Sequence, residues 1–418
     1  MIYVIGAGLA GLSAAVQLAG SGMAVTVIEA SAQAGGRCRS YHDPILDMTL
    51  DNGNHFILSG NHATFGYLRA IGSADRMIGP EEATLDFLDR RDGARWRIRP
   101  NPGPLPWWLA SPERRVAGTR LADYLPLLAL IAPPKGRRIS EVMACRGVLW
   151  DRLIGPFLLG ALNTDPREGS AALAAAVIRE SLARGGRAYR VRIAHPTLSA
   201  AFVDPALAFL ERHGASVVFG RPVRGLAFDG DRVSAIGSAA GDIALAPEDS
   251  VILAAPPWIA QALVPGLTAP DKFNTIVNGH FACAPPAGAP PMVGVIGGAA
   301  EWVFAFPDRL SVTVSGADAI ADDDREDLAR RFWADVAAVH GLGPELPPWR
   351  IIKERRATFA ATPEQDAKRP GAATRWRNLT LAGDWTATGL PATIEGTIRS
   401  GHKAAALALE GRRGAVIR

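Results

Sequence analysis

The first thirty residues carry the pattern that most constrains the fold of this 418-residue chain. A short apolar run, IYVIG at 2–6, ends in glycine as a buried parallel strand does, and an Ala/Leu-rich segment at 9–18 predicts a helix. The run AVTVIEA at 24–30 predicts a second strand. Strand, helix and strand in this order form a βαβ unit, so the sequence predicts an α/β fold with a parallel sheet.

The turn between the first strand and the helix has the sequence GAGLAG, which suits the pyrophosphate of a dinucleotide. Gly6 permits the tight turn, Gly8 lets a phosphate approach the backbone, and Gly11 lets the helix pack closely on the strand. We expect the phosphates beside Leu9 and Ala10, because the unpaired N–H groups and the dipole of a helix N-terminus favour negative charge.

The end of the second strand supplies the acid that such a fold needs for the adenosine ribose. Glu29 is expected to accept hydrogen bonds from the ribose hydroxyls, with Ala30 beside it. A few residues later, GGRCRS at 35–40 predicts a loop that wraps back over the cofactor, with Gly36 in the turn and Arg37 near the diphosphate. NAD dehydrogenases lack this second loop, so the two motifs together predict FAD.

A third motif lies near the C-terminus, in LAGDWTATGLPATIEG at 381–396. A predicted strand at 379–383 delivers Gly383 and Asp384, whose carboxylate is expected to bind a ribityl hydroxyl or, through water, the diphosphate. A helix opening at Ala392, Thr393 and Ile394 would direct its positive end at the pyrimidine end of a flavin, which stabilises the charge of the reduced ring.

Motifs at both ends of the chain imply a nucleotide-binding domain that is discontinuous. The pattern at 61–204 is mostly helical and broken by prolines. The next segment, 206–230, predicts a helix and one strand (216–228), and this strand contains Val223, a candidate for contact with the cofactor. Antiparallel strands are predicted at 271–306 and an amphipathic helix at 322–340. We predict a Rossmann-type FAD-binding domain from residues 1–60, 201–265 and 371–418. The inserted substrate domain, of mixed α+β type, is predicted from 61–200 and 266–370.

The three motifs together resemble the flavoprotein superfamily of amine oxidases, protoporphyrinogen oxidases and phytoene desaturases. Within it, YHDPILDMTLDNGNHFILSGN at 41–61, RWRIRPNPGPLPWWL at 95–109 and WVFAF at 302–306 resemble the squalene-associated branch, whose activity is hydroxysqualene dehydroxylation. The resemblance implies a role in bacterial squalene and hopanoid synthesis. The hydroxyl of hydroxysqualene would leave as water and a hydride would replace it, giving squalene.

The superfamily places the segment DNGNHF at 51–56 beside the flavin ring, so the resemblance puts Gly53 and Asn54 at the cofactor. Asp51 and His55 are the candidate catalytic acids, because a general acid must protonate the leaving hydroxyl and histidine titrates in a suitable range. The alternative is that both residues only pin a loop. A second histidine, His280 in VNGHF, is expected to be a satisfied core residue.

Other features of the sequence limit which partners, metals and cofactors we expect. The net charge is +4 with scattered arginines, so no nucleic acid is expected, and three widely spaced cysteines give no metal site, no disulfide framework and no recognisable covalent flavin attachment. A second G-x-G-x-x-G is not evident, so no dedicated NADPH domain is expected. The electron donor stays open, with an external reductant such as NADPH as the candidate. These features predict a cytoplasmic protein that holds FAD non-covalently.

The segments PGPLPWWLASPERRVAG at 102–118 and LADYLPLLALIAPPKGRR at 121–138 combine aromatic and leucine residues with flanking arginines. They predict either a peripheral contact with the inner face of the cell membrane, through which an isoprenoid lipid is admitted, or a proline-bent core helix. The direction of hydride transfer and the oligomeric state stay open. A carotenoid-type desaturase or amine oxidase is the alternative enzyme, and a non-catalytic prenyl-lipid escort is the alternative outside enzymes.

Overall fold

A computed structural model describes residues 1–416. Its strands, in chain order, are β1 Ile2–Ile5, β2 Val25–Ile28, β3 Ser40–Asp43, β4 Met48–Asp51, β5 Phe56–Leu58, β6 Met77–Ile78, β7 Leu85–Asp89, β8 Arg95–Ile98, β9 Val191–Ala194, β10 Ser216–Val218, β11 Val223–Asp229, β12 Arg232–Ser238, β13 Ile243–Ala244, β14 Ser250–Leu253, β15 Phe273–Phe281, β16 Met292–Ile296, β17 Trp302–Ala305, β18 Leu310–Val314, β19 Trp349–Phe359 and β20 Leu379–Leu381.

The α-helices connect these strands and cover the sheets. They are α1 Leu9–Gly20, α2 His62–Ile71, α3 Ile139–Val142, α4 Gly155–Leu162, α5 Ala171–Glu180, α6 Asp204–Arg212, α7 Pro257–Leu263, α8 Arg325–His340, α9 Pro363–Asp366 and α10 Ile394–Val416. Short 3₁₀ and π-helical turns fill much of the connection between β8 and β9, including Trp107–Ala110 and Leu121–Leu130.

The nucleotide-binding half is built on a parallel sheet in the order β10-β2-β1-β14-β20. Its side chains alternate between two cores, as the twofold period of a strand requires. Ile2 and Val4 pack with α1, and Ile5 faces the opposite core. That opposite face is covered by the antiparallel sheet β11-β12-β13, which contributes Val233 and Ile236. Helices on one face and a small sheet on the other leave the carboxyl ends of the strands open, which is where α/β folds bind ligands.

The inserted part is built on a mixed sheet in the order β19-β15-β18-β17-β16-β7-β8, in which β16 and β7 run parallel. One face of this sheet packs on α8, through an apolar layer that includes Val277, Val312 and Phe332. Asp324 caps the N-terminus of α8 by accepting from the backbone N–H groups of Glu326 and Asp327. The opposite face of the sheet looks toward the segment that follows β4, and this arrangement positions the candidate site.

The fold class predicted from the sequence is confirmed, and the predicted Rossmann unit is present as β1, α1 and β2. The exact boundaries of the two domains stay a prediction. One predicted strand, at 216–228, is wrong, because β10 joins the parallel sheet and β11 joins the three-stranded sheet. Between them lie Gly220, whose φ is +64°, and Pro222, which together break the strand.

The prediction of a mostly helical region at 61–204 is also incomplete. The hairpin β7–β8 joins the edge of the seven-stranded sheet, and β6 and β9 pair with each other. The alternation of apolar and polar residues in LDFLD and RWRI is too short to predict strands by itself. These segments form strands because β7 pairs with β16, which is distant in the chain.

Candidate active site

The turn between β1 and α1 has the geometry that its glycines predict. Gly6 has φ +107°, and a Cβ there would lie 2.7 Å from the carbonyl oxygen of Ala254. At Gly11 a Cβ would lie 1.9 Å from the Gly6 carbonyl oxygen, so the helix can approach the strand only with glycine at this position. At Gly8, in contrast, a Cβ would meet nothing within 4 Å. The helix N-terminus therefore faces open space over Gly8.

The first N–H groups of α1 are available in that space. Those of Leu9, Ala10 and Gly11 donate to no atom within residues 1–416. Leu9 and Ala10 are themselves buried, so their backbone is fixed. Unpaired N–H groups at a helix N-terminus beside an open position fit a pyrophosphate. This part of the chain therefore fits the cofactor that the sequence predicts.

Glu29 lies at the carboxyl end of β2, next to the turn. Its carboxylate accepts the N–H of Ala7 at 2.7 Å, and the N–H and hydroxyl of Ser31 at 2.9 and 2.8 Å. A carboxylate has about four lone-pair sites, so capacity remains for a ribose hydroxyl. Ala30 beside it is exposed, and Arg221 donates its backbone N–H to the Glu29 carbonyl oxygen, which brings Val223 to the same end of the sheet.

The GGR loop packs directly on the glycine turn. The N–H of Gly35 donates to the carbonyl oxygen of Ala7 at 2.8 Å, and Gly36 has φ +56° in a 3₁₀ turn above Gly8. Arg37 then donates to the Asp384 carboxylate at 2.7 Å, so the loop also contacts the C-terminal motif. All three predicted motifs meet at one end of the parallel sheet.

The C-terminal motif presents its acid after a backbone conformation that favours glycine. Gly383 has φ +149°, where a Cβ would lie 2.3 Å from the Trp385 indole nitrogen. Burial by itself would lower the pKa of the Arg37 guanidinium, but the charge of the buried Asp384 and its hydrogen bond, together with smaller contributions from other groups, raise that pKa above its ordinary value. Thr393 caps α10 by accepting the Gly396 N–H at 3.1 Å. Ala392 and Ile394 flank it, half-buried.

Sequence reasoning missed Arg369, which fixes this motif from behind. Its buried guanidinium donates to the Thr386 carbonyl oxygen at 2.5 and 3.0 Å, to the Asp384 carbonyl oxygen at 3.1 Å, and to the Thr388 hydroxyl. A lone arginine before a proline carries no local signal of such a role, because its acceptors lie 15 to 19 residues further along the chain.

The DNGNHF segment runs from the end of β4 along the face of the seven-stranded sheet that lies opposite α8. A Cβ at Gly53 would lie 3.1 Å from the amide nitrogen of Asn278, and Asn54 donates to the Thr313 hydroxyl at 3.1 Å. Both contacts hold the segment against β15 and β18. Gly53 and Asn54 therefore pack directly on the sheet.

Asp51 is buried, and one of its two carboxylate oxygens is occupied by hydrogen bonds that hold the local structure. One oxygen accepts the Ser40 hydroxyl at 2.6 Å and the Leu198 N–H at 2.9 Å, and the other lies 3.9 Å from Nη2 of Arg309. Burial raises the pKa of this carboxyl, and these three neighbours oppose the rise only in part. Asp51 thus anchors a loop and also has a raised affinity for a proton.

The surroundings of His55 do not suit the role of proton donor that the sequence predicts. Burial and the nearby Arg37 charge lower its pKa to about 4, so its ring is neutral at neutral pH and is not a ready proton donor. The sequence could not reveal this, because Arg37 is near only in space. Cys38, which lies close to the flavin motifs in sequence, is buried with a pKa raised to about 12 and stays a thiol.

The chain is similar to known proteins in both sequence and fold. The family model of the flavin-containing amine oxidoreductases matches residues 9–409. The chain is 52% identical over 413 residues to the hydroxysqualene dehydroxylase of Rhodopseudomonas palustris, covering 99% of each chain. It is 50% identical to the enzyme of the same name from Sinorhizobium fredii, covering 98% of each. Among solved structures, a double mutant of putrescine oxidase superposes with TM-score 0.71 at 17% identity, covering 98% of each chain.

Proposed function

Because the chain belongs to the flavin-containing amine oxidoreductases and to their hydroxysqualene dehydroxylase branch, we propose that it reductively dehydroxylates hydroxysqualene to squalene. The observation that carries the proposal is identity of half the residues over nearly the whole length of two relatives with that name. The short resemblance to L-amino-acid oxidases, over 29% of the chain or less, gives no comparable support to amine oxidation. The intact cofactor motifs disfavour an escort without FAD.

The cofactor is FAD, which in its reduced form supplies the hydride that replaces the hydroxyl. We propose that the turn at Gly6, Gly8, Leu9, Ala10 and Gly11 holds the pyrophosphate. The other proposed cofactor contacts are Glu29, Ala30 and Val223 for the adenosine part, Gly36, Arg37, Gly383 and Asp384 for the diphosphate and ribityl chain, and Gly53, Asn54, Ala392, Thr393 and Ile394 around the flavin ring. The electrons are proposed to come from an external reductant such as NADPH.

The net reaction consumes one hydride and one proton and releases water, so an acid must meet the departing hydroxyl. Asp51 suits this role because burial raises its pKa, and one of its oxygens is not engaged by Ser40 or Leu198. His55, neutral at neutral pH, is proposed to orient the substrate or a water in the same place. Exclusion of water falls to the apolar and aromatic side chains of the seven-stranded sheet, such as Trp302.

The activity is tested by incubating chemically reduced enzyme with hydroxysqualene without oxygen and detecting squalene by mass spectrometry. Asp51→Asn is expected to slow product formation by about 100- to 10,000-fold, as loss of a general acid does, while FAD stays bound. A loss of less than about threefold in both Asp51→Asn and His55→Ala would leave these residues as loop anchors. Absence of squalene with the wild-type enzyme would overturn the proposed function.

The segment at 105–131 supports a peripheral contact with a membrane. Its exposed large apolar side chains are Leu105, Trp107, Leu121, Leu125, Leu128 and Ile131. Trp108, Tyr124 and Leu130 of the same segment are buried, so the segment is anchored on one side and apolar on the other. Arg114 stacks over the Trp107 ring at 4.9 Å, a pairing of cation and aromatic ring that suits the headgroup region. No helix within residues 1–416 is long and apolar enough to cross a bilayer.

We propose that this face rests on the inner surface of the cell membrane and admits the isoprenoid. Leu125→Glu with Leu128→Glu should reduce co-sedimentation with vesicles containing anionic lipid, and should lower activity on vesicle-borne substrate more than on detergent-dispersed substrate. Ile45→Glu is the matched control, because Ile45 is 64% exposed, as Leu125 is 62%, but lies outside the segment. Equal losses with both forms of substrate would mean that the segment is not a membrane contact.

A further inference from the structure

Near Asp51, at the end of β4, buried polar atoms of three side chains lack partners. They are Nε and Nη2 of Arg309, Nε2 of His280 and Oδ1 of Asn54, none of which bonds to another atom of residues 1–416. Arg309 and His280 are 2% and 0% exposed, and Asn54 is 7% exposed. A buried polar group without a partner costs about 1–3 kcal/mol. Four such atoms in one region indicate that this region binds a polar ligand.

The three side chains border one region of the sheet face that lies opposite α8. His280 pairs with Ser311 across β15 and β18, and its Nδ1 lies 2.9 Å from the Ser311 hydroxyl. Two residues along the same strands, Asn278 pairs with Thr313, which accepts from Asn54. This histidine is therefore not the satisfied core residue expected from the sequence, because only one of its two ring nitrogens is engaged.

Arg309 completes the group at the turn before β18. Its Nη1 donates to Asp308 at 2.9 Å, its Nη2 lies 3.9 Å from Asp51, and the guanidinium covers the Phe306 ring at 4.0 Å. The 3.9 Å gap is too long for a hydrogen bond, so Asp51 does not satisfy the guanidinium. Burial, with a further contribution from the Arg309 charge, lowers the pKa of His280 to about 3, so that histidine is neutral.

An aromatic row leads away from this polar group. The ring centroids of Phe306 and Phe304 are 6.3 Å apart, and both belong to the apolar cluster that includes Trp302. In that cluster Trp302 lies 5.9 Å from Phe87. One polar end followed by an aromatic wall matches a hydrocarbon that carries a single hydroxyl.

We propose that Arg309 and His280 form the polar end of the substrate site, where the Arg309 guanidinium donates hydrogen bonds to the hydroxyl oxygen of the isoprenoid alcohol. This inference rests on the proposed function. The two N–H groups on one edge of the guanidinium converge on one oxygen and stabilise the negative charge that develops there as the carbon–oxygen bond breaks. Arg309 keeps its own proton throughout, and Asp51, 3.9 Å away, is the neighbouring acid.

The test is the ratio of two affinities, because squalene has the same chain without the hydroxyl. Titration of the oxidised holoenzyme, followed by the change in flavin absorbance, gives Kd for hydroxysqualene and for squalene without turnover. Wild-type protein should bind hydroxysqualene more tightly. Arg309→Gln should weaken hydroxysqualene binding by about 10- to 100-fold and leave squalene binding unchanged. Arg309→Lys, which keeps a cation opposite Asp51 and so protects folding, should give a smaller loss in the same ratio.

The matched control is Arg350→Gln. Arg350 pairs with His280 in the register of β15 and β19, but its guanidinium is half-exposed and bound to Asp43 at 3.1 Å, so the ratio should stay at the wild-type value. If both Arg309 variants keep the wild-type ratio, or weaken both ligands equally, the unpartnered atoms hold ordered water instead and the proposal is overturned. The squalene assay distinguishes this outcome from failure of the proposed function. If the wild-type enzyme forms squalene, the proposed function holds and only the role of Arg309 is wrong.

Discussion

Removing the carboxylate of Glu29 should weaken FAD binding specifically through the adenosine half of the cofactor. Glu29 is half-buried, and its carboxylate already accepts from Ala7 and Ser31, so its position is fixed before the cofactor binds. A hydrogen bond to a charged acceptor contributes about 1.5–3 kcal/mol. Glu29→Ala should therefore raise the Kd for FAD by about 10- to 150-fold.

The assay is titration of apoprotein with FAD, followed by quenching of flavin fluorescence, with the same titration repeated with FMN. FMN lacks the adenosine ribose, so its affinity should change little in the variant. Glu211→Ala is the control, because Glu211 is an exposed acid on α6, away from the site. It should leave both affinities at the wild-type values.

The variant also removes the acceptor of the Ala7 and Ser31 N–H groups, so the apoprotein should lose some thermal stability. This loss separates two roles for the carboxylate. A lower Tm with an unchanged Kd for FAD would mean that Glu29 only anchors the turn, and the assignment to the ribose would be refuted.

The remaining predictions concern the glycine turn and the buried histidine. Gly8→Val should abolish FAD binding but leave the Tm of the apoprotein nearly unchanged, because a Cβ at Gly8 meets nothing within 4 Å. Gly11→Ala should instead destabilise the fold by about 1–3 kcal/mol or more, since a Cβ at Gly11 would lie 1.9 Å from the Gly6 carbonyl oxygen. Calorimetry of the apoproteins checks both. His280 has a folded pKa of about 3 against an ordinary 6.5, so the unfolded chain binds more protons between these values and stability should fall as pH is lowered through that window. His280→Gln should flatten this dependence and His42→Gln, at an exposed site, should not.

Local patterns explain why the cofactor motifs could be predicted. The roles of Gly6, Gly8 and Gly11 depend on a turn between adjacent elements, so their spacing alone contains the geometry. The bond between Arg37 and Asp384 joins residues 347 positions apart, and only the shared fold brings them together. Sequence reasoning placed both residues at the cofactor but could not foresee their direct contact.

Long-range burial explains what could not be predicted. Arg309 and Arg369 sit in unremarkable sequence, and their surroundings are assembled from strands and loops distant in the chain. The lowered pKa of His55 has the same origin, because the desolvation and the Arg37 charge that cause it come from tertiary packing. Charged groups near a site are thus poorly predicted from sequence even where the backbone motif is clear.

Hydride transfer from reduced FAD to hydroxysqualene can be followed by single-turnover spectroscopy. Enzyme with pre-reduced FAD is mixed anaerobically with hydroxysqualene, and flavin absorbance and squalene are followed together. We expect the oxidised flavin spectrum to return at the same rate as squalene forms, with one squalene per flavin. Squalene added in place of the alcohol should leave the flavin reduced. Flavin that stays reduced in the presence of hydroxysqualene would contradict hydride transfer to this substrate and favour an oxidative reaction on another substrate.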